Sequence, residues 1–433
     1  MSEGPWSGRR LHFVGIGGAG MSGLAIVARE LGAHVSGSDR ARDSPYLARA
    51  GLTALPHDAG NVPDGAELVF SSAVPPDNPE RVAARERGLR ELHRADLLGE
   101  LTRLRPTIAI TGTHGKTTTS SMVVHALRAC GMDPGYLVGG EVRSTGSNAG
   151  WGAGQWLVVE ADESDRSLLK LAPRIAVLTN AELDHHATYA SQRDVDDTFR
   201  VFLDLAEEVV LGDEPGLERF SGQVARAERV QLEPGGSRFS FDGMPVELAV
   251  PGAHNARNGA CALAACALAG ADVAAAAAAL AGFSGAGRRF ERLGATSAGA
   301  LVVDDYAHHP TEVRATIAAA RTLGPRRVVA LFQPHLFSRT RHQYREFGAA
   351  LAQADVVAVL DVYPARERPE DFPGVTGHLV AAAAADAAGG RPVAWLPGFD
   401  EAEAFLRGEL REGDLLLTLG AGDVDALGRR LVD

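Results

Sequence analysis

The stretch IAITGTHGKTTTSSM, residues 108–122, decides the fold. A short β-prone run leads into a glycine turn, then Lys116 and Thr117, then residues from Ser120 to Ala129 that suit a helix. Strand, glycine turn, Lys-Thr and helix are the setting of a phosphate-binding loop. Ile110 stands where the first Walker glycine is expected, and the nearest glycine is Gly112. The working end, Gly115-Lys116-Thr117, is kept. Backbone N–H groups there can point at phosphate, at the positive end of the following helix. Lys116 can reach the β- and γ-phosphates, and Thr117 can place its hydroxyl on Mg²⁺. Gly112, Thr113, His114, Gly115, Lys116, Thr117 and Thr118 are therefore expected to bind ATP.

Outward from this loop, short apolar runs alternate with helix-like segments. That pattern predicts an α/β chain with parallel sheets. A chain of 433 residues is long for one core and suggests roughly two to four domains. Three blocks are expected. The first, residues 1–105, is Rossmann-like. The second, residues 106–290, is a P-loop ATPase-like parallel or mixed sheet. The third, residues 291–433, is again Rossmann-like. Pro106, after the polar LTRLR, marks a linker, and EPGGSRFSFDGMPVELAVPG reads as β-hairpins.

Two further strands end in acidic groups. LVVEADESD ends its apolar run at Glu160, with Asp162, Glu163 and Asp165 behind it. IAVLTNAELDHH ends in Asn180, Asp184, His185 and His186. In open α/β sheets, sites lie beyond the carboxyl ends of strands. Thr117, Glu160 and His185 are thus candidate ligands for Mg²⁺. Mg²⁺ prefers oxygen donors, so an imidazole also admits Mn²⁺.

A second glycine loop, VGIGGAG at 14–20, satisfies G-x-G-x-x-G between strand and helix, and Asp39 lies 19 residues past Gly20. Read alone, this predicts an NAD-dependent oxidoreductase. The physical content is only a diphosphate-plus-ribose site on a helix N-terminus, which a UDP-sugar also fits. Gly15, Gly17, Gly18, Gly20, Ser38, Asp39, Ser71 and Ser72 are the candidates for it. Farther on, PGAHNARNG places Asn255 and Asn258 at a helix start, where amides can pair with an adenine edge or cap the helix. GAGRRFE offers Arg288 and Arg289 for phosphate. VVDDYAHHPTEV and FQPHLFSRTR put Asp305, His308, His335 and Arg339 just after apolar strands.

Composition narrows the classes. A net charge of −12 argues against nucleic acid and anionic lipid as partners. Cys130, Cys261 and Cys266 are too few and scattered for a disulfide framework, and no CxxC pair suggests zinc. Free thiols and an N-terminus without an apolar core suggest a cytoplasmic protein. The Ala-rich 258–283 region reads as close-packed helices rather than a membrane span. Lys116 and Lys170 are the only lysines among 43 basic residues, so their retention stands out.

Taken together, GIGGAGMSGLA, SSAVPPDNPE, GTHGKTTT, EADESD, HNARN, GRRFE, DDYAHHPTEV and QPHLFSRT resemble the Mur ligases, over essentially the whole chain. The glycine-rich N-terminal motif and DDYAHHP point to the alanine-adding branch. The resemblance implies three domains, holding a UDP-sugar, ATP, and the amino acid with further ATP contacts. It implies an ATP-dependent ligase of peptidoglycan synthesis, joining L-alanine to UDP-N-acetylmuramate through an acyl phosphate. A monomer or homodimer is expected. By motif position, Asn255 and Asn258 contact adenine, and Arg289 and Asp305 reach ATP. His308, His335 and Arg339 lie near the amino acid and acyl phosphate, with Lys116 as the catalytic cation. Relatives that add a peptide to the same sugar are the nearest alternative. Several Mur ligases carry a carbamylated lysine after the DH motif; no lysine follows Lys170 here, in keeping with the alanine-adding branch.

Overall fold

The computed structural model describes residues 4–40 and 44–432. The chain divides into two compact units. The first is built from Met1–Glu182, Arg193–Arg226 and Asn258–Leu280. The second is built from Leu183–Gln192, Ala227–Arg257 and Ala281–Asp433. Around the LTRLR stretch and Pro106, Leu101 and Thr102 are buried, Thr107 Oγ1 donates to the Thr102 carbonyl, and the Pro106 carbonyl accepts from Leu157 N–H.

In the first unit, β1 (Arg10–Val14), β2 (His34–Ser38), β3 (Glu67–Phe70) and β4 (Glu91–His93) form a parallel sheet in the order β2-β1-β3-β4. Its helices are α1 (Ala19–Glu30), α2 (Pro45–Arg49), α3 (Pro79–Glu86) and α4 (Arg94–Thr102). A larger sheet follows. Its strands are β5 (Thr107–Thr111), β6 (Gly135–Val142), β7 (Ser147–Gly150), β8 (Leu157–Glu160), β9 (Ile175–Leu178), β10 (Glu208–Gly212) and β11 (Gln223–Ala225). The order is β11-β10-β9-β5-β8-β6-β7, parallel except for the β6–β7 pair.

The β-branched TIAIT of β5 is buried at every residue, as a central parallel strand covered on both faces requires. Its neighbours are β8 and β9, so the ends of all three share one edge. The helix after β5, α5 (Lys116–Ala129), opens with a Thr/Ser run of modest helix propensity. Ten of its residues are buried, so packing holds it helical. Helix α6 (Gln192–Leu203) returns the chain to β10.

In the second unit, β12 (Glu228–Glu233), β13 (Gly236–Phe241) and β14 (Met244–Leu248) form the expected antiparallel hairpins. Helices α7 (Ala253–Leu268) and α8 (Val273–Leu280) follow in the chain, and from Asn258 to Leu280 they belong to the first unit. The six-stranded sheet comprises β15 (Glu291–Ala295), β16 (Leu301–Asp305), β17 (Val328–Phe332), β18 (Val356–Val359), β19 (Val393–Trp395) and β20 (Leu415–Leu419). Its order is β15-β16-β20-β17-β18-β19, with only β15 antiparallel.

Alternate side chains feed opposite faces of this sheet. Val328, Ala330 and Phe332 pack with Val313 and Ile317 of α9 (Pro310–Arg321), Phe347 of α10 (Phe337–Leu351) and Val380 of α11 (Gly377–Ala387). Val329 and Leu331 pack with Leu406 of α12 (Phe399–Glu409) and Leu427 of α13 (Val424–Leu431). Among the described residues no helix is long and apolar enough to cross a membrane.

Candidate active site

In the first unit, the turn between β5 and α5 forms the phosphate loop. Gly112 and Gly115 have φ of 132° and 80°, the region that favours glycine. A Cβ on Gly115 would stand 2.5 Å from Asn258 Oδ1, so this loop glycine packs directly beneath one of the expected adenine contacts. The end of β9 clamps the loop. Asn180 Oδ1 accepts from the His114 N–H, Asn180 Nδ2 donates to the His114 carbonyl, and Thr179 Oγ1 donates to the same carbonyl at 2.6 Å. Thr113 Oγ1 donates to the Glu182 carbonyl at 3.0 Å.

Lys116 Nζ donates to the Gly112 and Thr113 carbonyls at 2.7 and 3.2 Å and pairs with Glu163 at 2.8 Å. Burial alone would lower its pKa, but Glu163, Asp162 and Glu160 raise it above the usual lysine value, so the ammonium stays charged. Thr117 Oγ1 donates to Glu160 Oε1 at 3.0 Å, while Glu160 Oε2 accepts from Gly139 N–H. A hydroxyl and a carboxylate so close form a hard oxygen pair that fits Mg²⁺ or Mn²⁺.

The first glycine loop faces a cavity of about 600 Å³. Gly15, Gly17, Gly18, Gly20, Asp39 and Ser71 line it; Ser38 and Ser72 do not. Asp39 accepts from Gly17 N–H at 2.8 Å, which fixes the loop. Ser38 is fully buried beneath the cavity, and Ser72 Oγ donates to Asp165 at 3.0 Å. His57, Asn78, Arg94 and Asp162 also line the cavity. Sequence reasoning missed them as contacts because none belongs to the glycine motif.

Arg94 Nη2 donates to Asp162 and Asp165 at 3.1 and 3.3 Å. Burial opposes its charge, and the two carboxylates raise its pKa. The loop after β8 therefore serves both places. Glu160 and Glu163 hold Thr117 and Lys116, while Asp162 and Asp165 hold the cavity's arginine.

In the second unit, Asp184 and Arg339 are buried, 4% and 3% exposed. They form a two-pronged ion pair, Nε to Oδ1 at 2.9 Å and Nη2 to Oδ2 at 3.0 Å. Burial pushes the Asp184 carboxyl up, but Arg339 and His185 hold it well below the carboxylate range. His185 has φ 53°, and its N–H donates to Asp184 Oδ1 at 2.7 Å.

Arg339 Nη1 also donates to the His335 carbonyl at 3.2 Å, and the His335 ring stacks on Tyr363. Burial and Arg339 push His335 down to about 3. His308 is likewise pushed well below the usual imidazole value, by burial first, so both rings are neutral at pH 7. His308 Nδ1 lies 2.9 Å from the Tyr306 carbonyl, so that nitrogen carries the proton.

Asp305 accepts from the N–H groups of Phe290 and Ala307, and burial raises its pKa to about 6. Arg289 stands 3.6 Å from Glu312. Arg288, expected to contact phosphate, donates to Asp304 and to the Gly420 and Gly422 carbonyls. Asn255 Nδ2 donates to the Pro251 carbonyl at 2.7 Å.

Three family models match the chain in succession: the Mur ligase family, catalytic domain, at residues 10–105; the Mur ligase middle domain at 110–266; and the Mur ligase, glutamate ligase domain, at 288–422. A UDP-N-acetylmuramate–L-alanine ligase from Kineococcus radiotolerans is 46% identical, over 98% of this chain and 96% of the relative. Among solved structures, a UDP-N-acetylmuramate-alanine ligase from Thermotoga maritima superposes with a TM-score of 0.83 at 28% identity, covering 98% of each chain. A murein peptide ligase from Psychrobacter arcticus superposes at 0.73 and 25% identity, again over 98% of each. Phosphate loop, glycine-loop cavity and full-length likeness agree: the chain belongs to the Mur ligase family.

Proposed function

We propose that this chain is an ATP-dependent ligase that joins L-alanine to the carboxylate of UDP-N-acetylmuramate. One observation supports this reading most. The loop 160–165 holds the phosphate-loop lysine on one side and the arginine of the glycine-loop cavity on the other. A nucleoside-diphosphate sugar and a triphosphate are thereby served by one short segment.

The muramate carboxylate attacks the γ-phosphate of ATP, forming an acyl phosphate and ADP. The alanine amine then attacks the acyl carbon, and inorganic phosphate leaves. Lys116 neutralises charge on the transferring phosphoryl, with loop N–H groups from Gly112 to Thr118 around the phosphates. Thr117 and Glu160, with His185 proposed from its motif position, would hold Mg²⁺ or Mn²⁺. The ion would supply further charge neutralisation on the phosphates.

Asn255, Asn258, Arg289 and Asp305 are proposed ATP contacts, and His335 and Arg339 are proposed to position the amino acid. His308 takes the amine proton at Nε2, since its Nδ1 proton is held by Tyr306. Mass spectrometry of the product tests the reading. Alanine-dependent mass gain on UDP-N-acetylmuramate is expected. Gain with a peptide and not with alanine would move the chain to the peptide-adding relatives.

A further inference from the structure

The stretch SSAVPPDNPE ends in Glu80, which takes no part in the reaction above. Glu80 is fully buried, at the start of α3, beside the Asn78 cap. Its two oxygens have different partners. Oε1 accepts from Asp58 N–H at 3.2 Å and from the Asn61 amide at 3.0 Å, with His12 Nε2 at 3.7 Å. Oε2 accepts from the Ser38 hydroxyl and lies 3.5 Å from His57 Nδ1. Ser38 Oγ is also 2.8 Å from His57 Nδ1. Burial pushes the Glu80 carboxyl up, but His12, Ser38, Asn61 and the Asp58 N–H more than offset it and hold it at about 2. The group is an anion at neutral pH.

An ionised carboxylate only accepts hydrogen bonds, and a serine hydroxyl has one proton to give. That proton goes to Glu80. Ser38 Oγ can then only accept from His57, which places a proton on Nδ1. In the neutral ring, Nε2 keeps the lone pair. His57 lines the glycine-loop cavity, whereas Ser38 and Glu80 lie behind it.

We propose that Glu80 is a positioning residue for the nucleotide: through Ser38 it fixes the His57 tautomer, so that His57 offers an acceptor to an N–H or O–H of the bound nucleoside. The proposal rests on the cavity being the UDP-sugar site. The matching donors on a uridine nucleotide are the base imide N–H and the ribose hydroxyls.

Long-range ¹H–¹⁵N spectra of histidine-labelled protein read the tautomer directly, with H57Q assigning the signal. The Nδ1–H form is expected in the wild type. In E80Q the new carbonyl keeps the Asp58 and Asn61 donors, so its NH₂ faces Ser38. The chain of donors then reverses, and the His57 proton moves to Nε2. UDP affinity should fall about tenfold, the size of one lost hydrogen bond, with the KM for ATP unchanged. Uridine diphosphates methylated at N3 or lacking the 2′-hydroxyl separate the two donors: the one lacking the contacted group binds wild type and E80Q equally.

An Nε2–H ring in the wild type overturns the proposal, and that spectrum decides even if E80Q does not fold. Unchanged UDP affinity in an E80Q whose tautomer has shifted overturns it as well. An Nδ1–H wild type that does not bind UDP would instead overturn the cavity's assignment, and with it the ligand named here.

Discussion

Lys116 is held by Glu163, which is buried, so truncating the lysine does more than remove a phosphate contact. Lys116→Ala should abolish phosphate release and also lower stability by on the order of 3 kcal/mol, because a buried carboxylate loses its partner. Adding Glu163→Gln should restore much of the stability but none of the activity; urea denaturation and a phosphate assay separate the two. The sequence marked Lys116 by its motif. It could not rank Glu163 above Asp162 or Asp165, because side-chain direction in a loop has no period to read.

Glu80 makes a pH prediction of definite sign. Its folded pKa, about 2, lies below the carboxyl's usual 4.5. Its stabilisation is therefore present above pH 4.5 and lost as pH falls toward 2, on the order of 3 kcal/mol in all. Acid denaturation of E80Q should lack that component; an identical acid limb in both proteins would contradict it.

At the scale of elements, the turn into α5 is the sensitive joint. Gly115→Ala meets a positive φ and Asn258 Oδ1 at once. A loss of about 1–3 kcal/mol is expected in urea, with weakened ATP binding. In the second unit, Asp184→Asn leaves the Arg339 guanidinium buried without its carboxylate, and about 3–5 kcal/mol should be lost by the same measurement.

Central strands such as β5, β8, β9, β16, β17 and β20 were legible because apolar runs mark parallel strands covered on both faces. Not every edge strand was. Residues 291–295, ERLGA, have no apolar alternation, and β15 forms by pairing with β16. The insertion of β20 between β16 and β17 is likewise a long-range pairing that no local pattern encodes.

For the whole molecule, the glycine-loop motif read alone suggested a dinucleotide enzyme. The structure places the acidic loop after β8 between that cavity's Arg94 and the phosphate loop's Lys116, which a dinucleotide enzyme leaves unexplained. The phosphate-loop glycines and the acid at Asp39 were legible because each follows an apolar strand. His57, Asn78 and Arg94 were not, since they reach the cavity from separate turns and helix starts.

The central claim is that ATP is cleaved to activate a carboxylate. Phosphate release from ATP, measured with and without UDP-N-acetylmuramate and L-alanine, tests it most directly. Release that requires both is predicted; release of equal rate from ATP alone would contradict it.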